Sequence, residues 1–193
     1  AMGCDPTPAP STDAAADTAS DAAADASADA APLPSRAECN PLGYDDACML
    51  PFPSAFYQGD TLQLPAAALP VSLGRLSRTD GERAPLDPAA WNRIDGFSPN
   101  GALLAYFPER IDPRSLVPPA ELARSVTAMA STAVVDMTTG ERVAHFSEVD
   151  ATVAAEQPQV VIIRPAQRLT PGHRYAVAIT RAARTAAGGM PTV

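Results

Sequence analysis

Apolar side chains larger than Ala are scarce over the first thirty positions, and strand signals become regular only from Trp91 onward. Residues 102–107 form a short apolar run closed by Pro108, which has the length and punctuation of a strand. The stretch "STAVVDMTTGERVAHF" predicts two strands, 132–137 and 142–148, joined as a hairpin across Thr138-Thr139-Gly140, where glycine allows φ > 0. Residues 160–163 are an unbroken β-branched run, which predicts a central strand buried on both faces. After the Pro171-Gly172 turn, Tyr175, Val177 and Ile179 alternate with Ala176, Ala178 and Thr180, the period of a strand with two unlike faces. A turn or two of helix is predicted over 118–125, where Ala120, Glu121, Leu122 and Ala123 favour it. Short strands separated by Pro and Gly predict a mainly β chain, arranged as an antiparallel β-sandwich over residues 91–185.

The front of the chain has no stripe to bury. Asp13, Asp17, Asp21, Asp25 and Asp29 recur every fourth residue, with Ala in most of the gaps. A helix would stack these like charges on one face at a cost of a few tenths of a kcal/mol per pair, about what Ala returns. One-signed charge without apolar side chains predicts a disordered acidic tether over residues 1–34. The net charge of -8 divides the same way. Residues 1–32 hold six Asp and no base, leaving 16 acids against 14 bases, all of them Arg, in the rest. A near-neutral body without a basic run excludes nucleic acid as the expected partner. No apolar run approaches the roughly 20 residues that a membrane-spanning helix needs.

Three cysteines refine this picture. Cys39 and Cys48 stand close together, with Asn40-Pro41 and Gly43 favouring a turn between them. In an exported chain they read as a disulfide staple, contributing ~2.5–3 kcal/mol on the chain-entropy view. That leaves Cys4 as the odd one. Diacylation of a first cysteine would account for an unpaired thiol ahead of a long acidic leash. Ala1-Met2-Gly3 reads either as the end of a bacterial lipobox or as residues joined on where a signal peptide was removed. Both readings make Cys4 the lipidation site of a bacterial lipoprotein, exported to the cell envelope or cell surface. The alternative is a chance cysteine in a linker.

Residues 35–90 are expected to form an extended, disulfide-stapled segment that packs on the body, with Met49-Leu50-Pro51-Phe52-Pro53 as the clamp. No metal or cofactor is expected. Zinc needs about four ligands, and His145 and His173 show no ligand spacing. Asn40, Asp45 and Asp46 offer oxygens for calcium but lack the alternation of an EF-hand loop, so a solvated turn is the simpler reading. His145, beside Phe146 on a predicted strand, is expected to pack in the core or at a sheet edge, with a catalytic base as the alternative, and His173, after a Pro-Gly turn, is expected in solvent. Trp91 is expected to anchor a loop. Contact of Trp91 and Arg93 with a sugar or other ligand is the alternative. Ser98 has Pro99 after it and Asn100 where a nucleophile elbow needs glycine, so "DGFSPNG" reads as a turn entering a strand.

"YFPERIDPRSL", "GERVAHF" and "VVIIRPAQRLTPGHRYAVAIT" together resemble the bacterial Ig-like domain of the S-layer-protein type, over about residues 95–182. The most specific part is Leu169-Thr170-Pro171-Gly172 followed by Tyr175-Ala176-Val177. The wider order is similar to the N-terminal region of bacterial virulence-factor lipases. It runs from a lipoprotein cysteine and acidic leash through "CNPL…CMLPFPS" and "NRIDGFSPNGALLAYFP" to the Ig-like stretch. Those are envelope lipoproteins whose α/β-hydrolase domain follows a non-catalytic front. The resemblance implies an Ig-like sandwich here, no catalytic set within 1–193, and Gly188-Gly189 as part of a joint (186–193) to a hydrolase domain after Val193. That domain is the expected partner, together with a membrane reached through Cys4. A stand-alone surface binding or adhesion module is the competing expectation.

Overall fold

The computed structural model describes residues 40–44, 47, 49–65, 75–77, 83–85, 88–152, 154, 156 and 159–192. The expected tether over 1–34, and Cys4, Asp45, Asp46 and the Cys39–Cys48 pair, lie outside the described residues. Among those described, strands predominate and every paired strand is antiparallel.

β1 (Arg75–Ser77) and β2 (Arg83–Pro85) pair antiparallel as a two-stranded sheet, separate in hydrogen bonding from the other described strands, in a region where the residue pattern predicted only an extended segment. The body holds β3 (Leu103–Tyr106), β4 (Thr132–Asp136), β5 (His145–Val149), β6 (Val160–Pro165) and β7 (Tyr175–Ile179). These form a three-stranded sheet in the order β3-β6-β5 and a two-stranded sheet of β4 with β7. Leu103, Val161 and Ile163 from the first sheet meet Val134 from the second in one buried cluster. Phe107, Ile111, Leu116, Val143 and Leu169 complete it, and Ala105, Val149, Tyr175 and Ile179 close its margin. Burying apolar surface from both sheets in one place is what holds them together.

Two sequence expectations need correction. The turn at 136–141 forms as predicted: Gly140 takes φ 77, and its N–H donates to the Asp136 carbonyl at 2.8 Å. The hairpin does not continue. After a single bridge between Val135 and Arg142, the chain crosses to the other sheet, where β5 pairs with β6 over five residues. Turn chemistry sets the reversal and leaves the next partner open. Val143 is drawn into the shared core, which turns the chain away from β4. The second correction concerns β6. It is central, but only Val161 and Ile163 are fully buried, while Val160 and Ile162 are half-buried. Among the described residues no sheet packs over its second face to complete the burial.

The helical stretch over 118–125 forms as a short 3-10 turn, Pro119–Glu121, running into α1 (Leu122–Ser125). Residues 49–64 wrap against the body, and Phe52 and Leu104 exchange backbone hydrogen bonds at 2.9 and 2.6 Å. Met49, Tyr57 and Leu64 form a second small cluster, with Phe52 and Phe97 packed against it. Among the described residues no helix is long and apolar enough to cross a membrane.

Candidate functional site

His145 is the first place to look for chemistry, and it is fully buried. Its Nδ1 lies 2.8 Å from the Val143 carbonyl. A carbonyl can only accept, so Nδ1 carries the proton and Nε2 is the acceptor. Thr132 Oγ1, at 2.8 Å, therefore donates to Nε2. Ser147 Oγ, 3.2 Å away, then donates to Thr132 Oγ1 and itself accepts from the Val117 N–H at 3.1 Å. The His145 main-chain N–H donates to Ser125 Oγ at 3.0 Å. β4, β5, α1 and the segment before α1 are thus joined through one chain of polar groups. Burial holds the His145 imidazole below its ordinary value of 6.5, against opposing contacts from Val143 and Thr132. Thr132, Ser125 and Ser147 are buried too. No substrate reaches them, so the cluster is a structural rivet, as the sequence reading of His145 expected.

His173 departs from its expectation. The Pro171-Gly172 turn is present, with Gly172 at φ 78, yet the ring is not left in solvent. Its Nδ1 sits 2.7 Å from Asp136 Oδ2, and it stacks at 28° on Tyr175. The ring bond to His173 lowers the Asp136 carboxyl below its ordinary 3.8, with help from the Thr138 and Thr139 N–H groups. Among the described residues no hydroxyl or thiol is bonded to the other ring nitrogen, so this acid–imidazole pair has no nucleophile. Asp136 and His173 lie 37 residues apart, and nothing in their local sequence links them. The β4–β7 register, which places Asp136 opposite Tyr175, brings them together.

Trp91 and Arg93 lie on a 3-10 segment, Pro88–Arg93. Asn92, between them, does the anchoring: its side chain accepts from Leu64 N–H at 2.8 Å and donates to the Leu64 carbonyl at 2.9 Å. Trp91 keeps 38% of its surface in solvent, and Phe56 and Ile94 are exposed as well. Ser98 occupies the turn its sequence predicted: the Gly101 N–H donates to its carbonyl at 3.1 Å, just ahead of β3. Asn40, weighed as a calcium oxygen, is buried and committed to the Leu42 N–H and the Pro51 carbonyl.

A shallow cavity of about 420 Å³ is lined by Glu109, Arg110, Thr185, Ala186 and Ala187. Glu109 Oε1 is engaged by Thr192, whose hydroxyl lowers the carboxyl, and Oε2 has no partner among the described residues. Glu109 is bonded to Thr192 and Thr185 to Gly189, so the lining offers no nucleophile paired with a base for catalysis. Among the described residues no three His, Cys, Asp or Glu side chains gather as a metal site. Comparison with protein families, curated proteins and solved structures returned no match.

Proposed function

We propose that this chain is the non-catalytic N-terminal region of an exported bacterial lipoprotein, a lipase/esterase-like serine hydrolase whose α/β domain follows Val193. The observation that carries the reading is the order of segments along the sequence: Cys4, the acidic leash, the cysteine pair and the Leu169–Tyr175 motif. In this reading Cys4 takes the lipid, Cys39 and Cys48 form the staple, and the protein resides in the cell envelope.

The body is read as an Ig-like sandwich, and two features support that. Taking β3 to β7 as strands B to F, the observed pairings β3-β6-β5 and β4-β7 are the B-E-D and C-F pairings of an Ig sandwich. The Phe52–Leu104 bridge stands where strand A would join B. Tyr175, at the start of β7, accepts through its hydroxyl from the Thr170 N–H at 2.8 Å. The contact resembles the tyrosine corner at the E–F turn of Ig domains, with the hydroxyl accepting.

Both histidines are held in structural bonds, which favours a supporting role for this region over chemistry of its own. The whole natural protein should hydrolyse a chromogenic short- or medium-chain ester, and the 193-residue chain alone should not. A natural continuation without a Gly-x-Ser-x-Gly elbow, giving no turnover, would count against the reading. It would favour the surface binding module instead, for which the exposed Trp91, Phe56 and Ile94 are the feature to test.

A further inference from the structure

We propose that the outer edge of β7 pairs antiparallel with the same edge of a second copy of this chain, centred on Val177 and joining two β4-β7 sheets into one. The ladder shows which groups of β7 face away from β4. The Met137 N–H donates to the Arg174 carbonyl at 2.8 Å, and the Thr180 N–H to the Ser131 carbonyl at 2.8 Å. Hydrogen bonding alternates along an antiparallel pair, so residues 174, 176, 178 and 180 face β4. Tyr175, Val177 and Ile179 turn their N–H and C=O groups the other way. Sheet β4-β7 has no third strand there among the described residues. Among the described residues after β7, Thr185 bridges Ile111 and none folds back along β7.

Edge strands are normally guarded by charge, proline or a bulge. Tyr175–Ile179 contains neither charge nor proline, and its register against β4 runs unbroken. Val177 lies opposite the buried Val134, on the core side, yet it is 44% exposed. Tyr175 and Ile179, two residues to either side, pack on the core. The apolar face therefore stops at an open rim.

The sequence of the strand identifies the occupant. Tyr-Ala-Val-Ala-Ile is nearly the same read in either direction. Antiparallel pairing about Val177 sets it against the partner's Val177, Ala176 against the partner's Ala178, and Tyr175 against the partner's Ile179. The three outward residues of each strand meet three outward residues, and each such pair exchanges two hydrogen bonds. The two valines then cover one another. A twofold interface uses the same patch twice, and this strand presents a near-symmetric one. Beyond it, Arg174 meets the partner's Thr180, with the partner's Arg181 close by. These like charges end the pairing and make it weaker at low salt. Five residues per partner are far fewer than the roughly 20–30 of a standard interface, so the dimer forms at high concentration. The inference rests on the open edge and does not depend on the assignment of function.

Sedimentation of the chain, kept reduced so that cysteines cannot crosslink it, tests this over a concentration series. A monomer–dimer equilibrium that tightens with added salt is expected. Val177→Lys should raise its dissociation constant by about tenfold or more, at least ~1.4 kcal/mol. In the unaltered chain, hydrogen exchange at Tyr175, Val177 and Ile179 should slow as concentration rises, a readout that needs no variant. A chain that stays monomeric with these amides exchanging freely overturns the proposal. So does a dimer that forms without protecting them.

Discussion

At the scale of residues, the His145 cluster has a direction that makes it sensitive to acid. With Nδ1–H given to Val143, the only role left for Nε2 is to accept from Thr132. A second proton on the ring would turn Nε2 into a donor facing Thr132 Oγ1, and one hydroxyl of the buried chain would lose its acceptor. Leaving a buried donor unsatisfied costs about 1–3 kcal/mol. Burial holds the folded imidazole below the ordinary 6.5, against the opposing contacts from Val143 and Thr132, and the unfolded chain takes up the proton first. Stability from this group is complete above about pH 6.5. It falls as pH drops through and below that value, by at most ~1.4 kcal/mol per pH unit for one group. Urea unfolding at a series of pH values should show this slope, and His145→Asn should remove it while lowering stability throughout. The same slope in the variant would place the titrating group elsewhere. Asp136 acts in a separate window. Its carboxyl is lowered from 3.8, so its contribution is present above that value and is lost only as pH falls below it.

At the scale of elements, β6 decides whether the two-sheet core is drawn correctly. Ile163 is fully buried in the shared cluster, whereas Ile162, its neighbour in an equally apolar run, is half-buried on the opposite face. Ile163→Ala should cost about 2–5 kcal/mol, the transfer loss plus the cavity left behind. Ile162→Ala should cost less than about 2 kcal/mol, because less surface returns to water. Denaturant midpoints of the two variants give the comparison, and an Ile162 cost equal to or above that of Ile163 would reverse the faces. The run itself carries no clue to which face wins. Four consecutive β-branched residues suit a strand covered on both sides, and the uneven cover comes from β4 and β7 lying over one side only.

Across the whole molecule, residues 49–64 form a wrap tied down by few bonds. Asn92 holds Leu64 by two hydrogen bonds, Leu62 N–H donates to the Ile94 carbonyl at 2.8 Å, and Phe52 bridges Leu104. The buried side chains of the wrap, Met49, Tyr57 and Leu64, form a small cluster of their own, apart from the main core, so the wrap can open separately from it. Asn92→Ala removes two bonds of ~0.5–1.5 kcal/mol each. It should speed hydrogen exchange at Leu62 and Leu64 while leaving Val134 and Ile163 as protected as before. Equal loss of protection in the core would show that wrap and body open together.

Local chemistry alone was enough for the strand positions at 103–106, 160–163 and 175–179, and for the turns at Ser98, Gly140 and Gly172. Alternation, β-branching and a glycine able to take φ > 0 act within a few residues and do not depend on what lies across the core. A packing role for His145 was legible for the same reason, from its place on a strand beside Phe146, though the choice between core and edge was not. Pairing was not. Whether 142–148 returned along β4 or crossed to β6 depended on where Val143 could be buried, and that place exists only once both sheets are assembled. His173 found Asp136 through a register between strands far apart in sequence. Asn92, rather than the larger Trp91 beside it, became the anchor because Leu64 presented an unpaired N–H and C=O at that point. Sequence determines what each segment can form, and long-range packing selects the partner, because the core is buried only when the sheets meet.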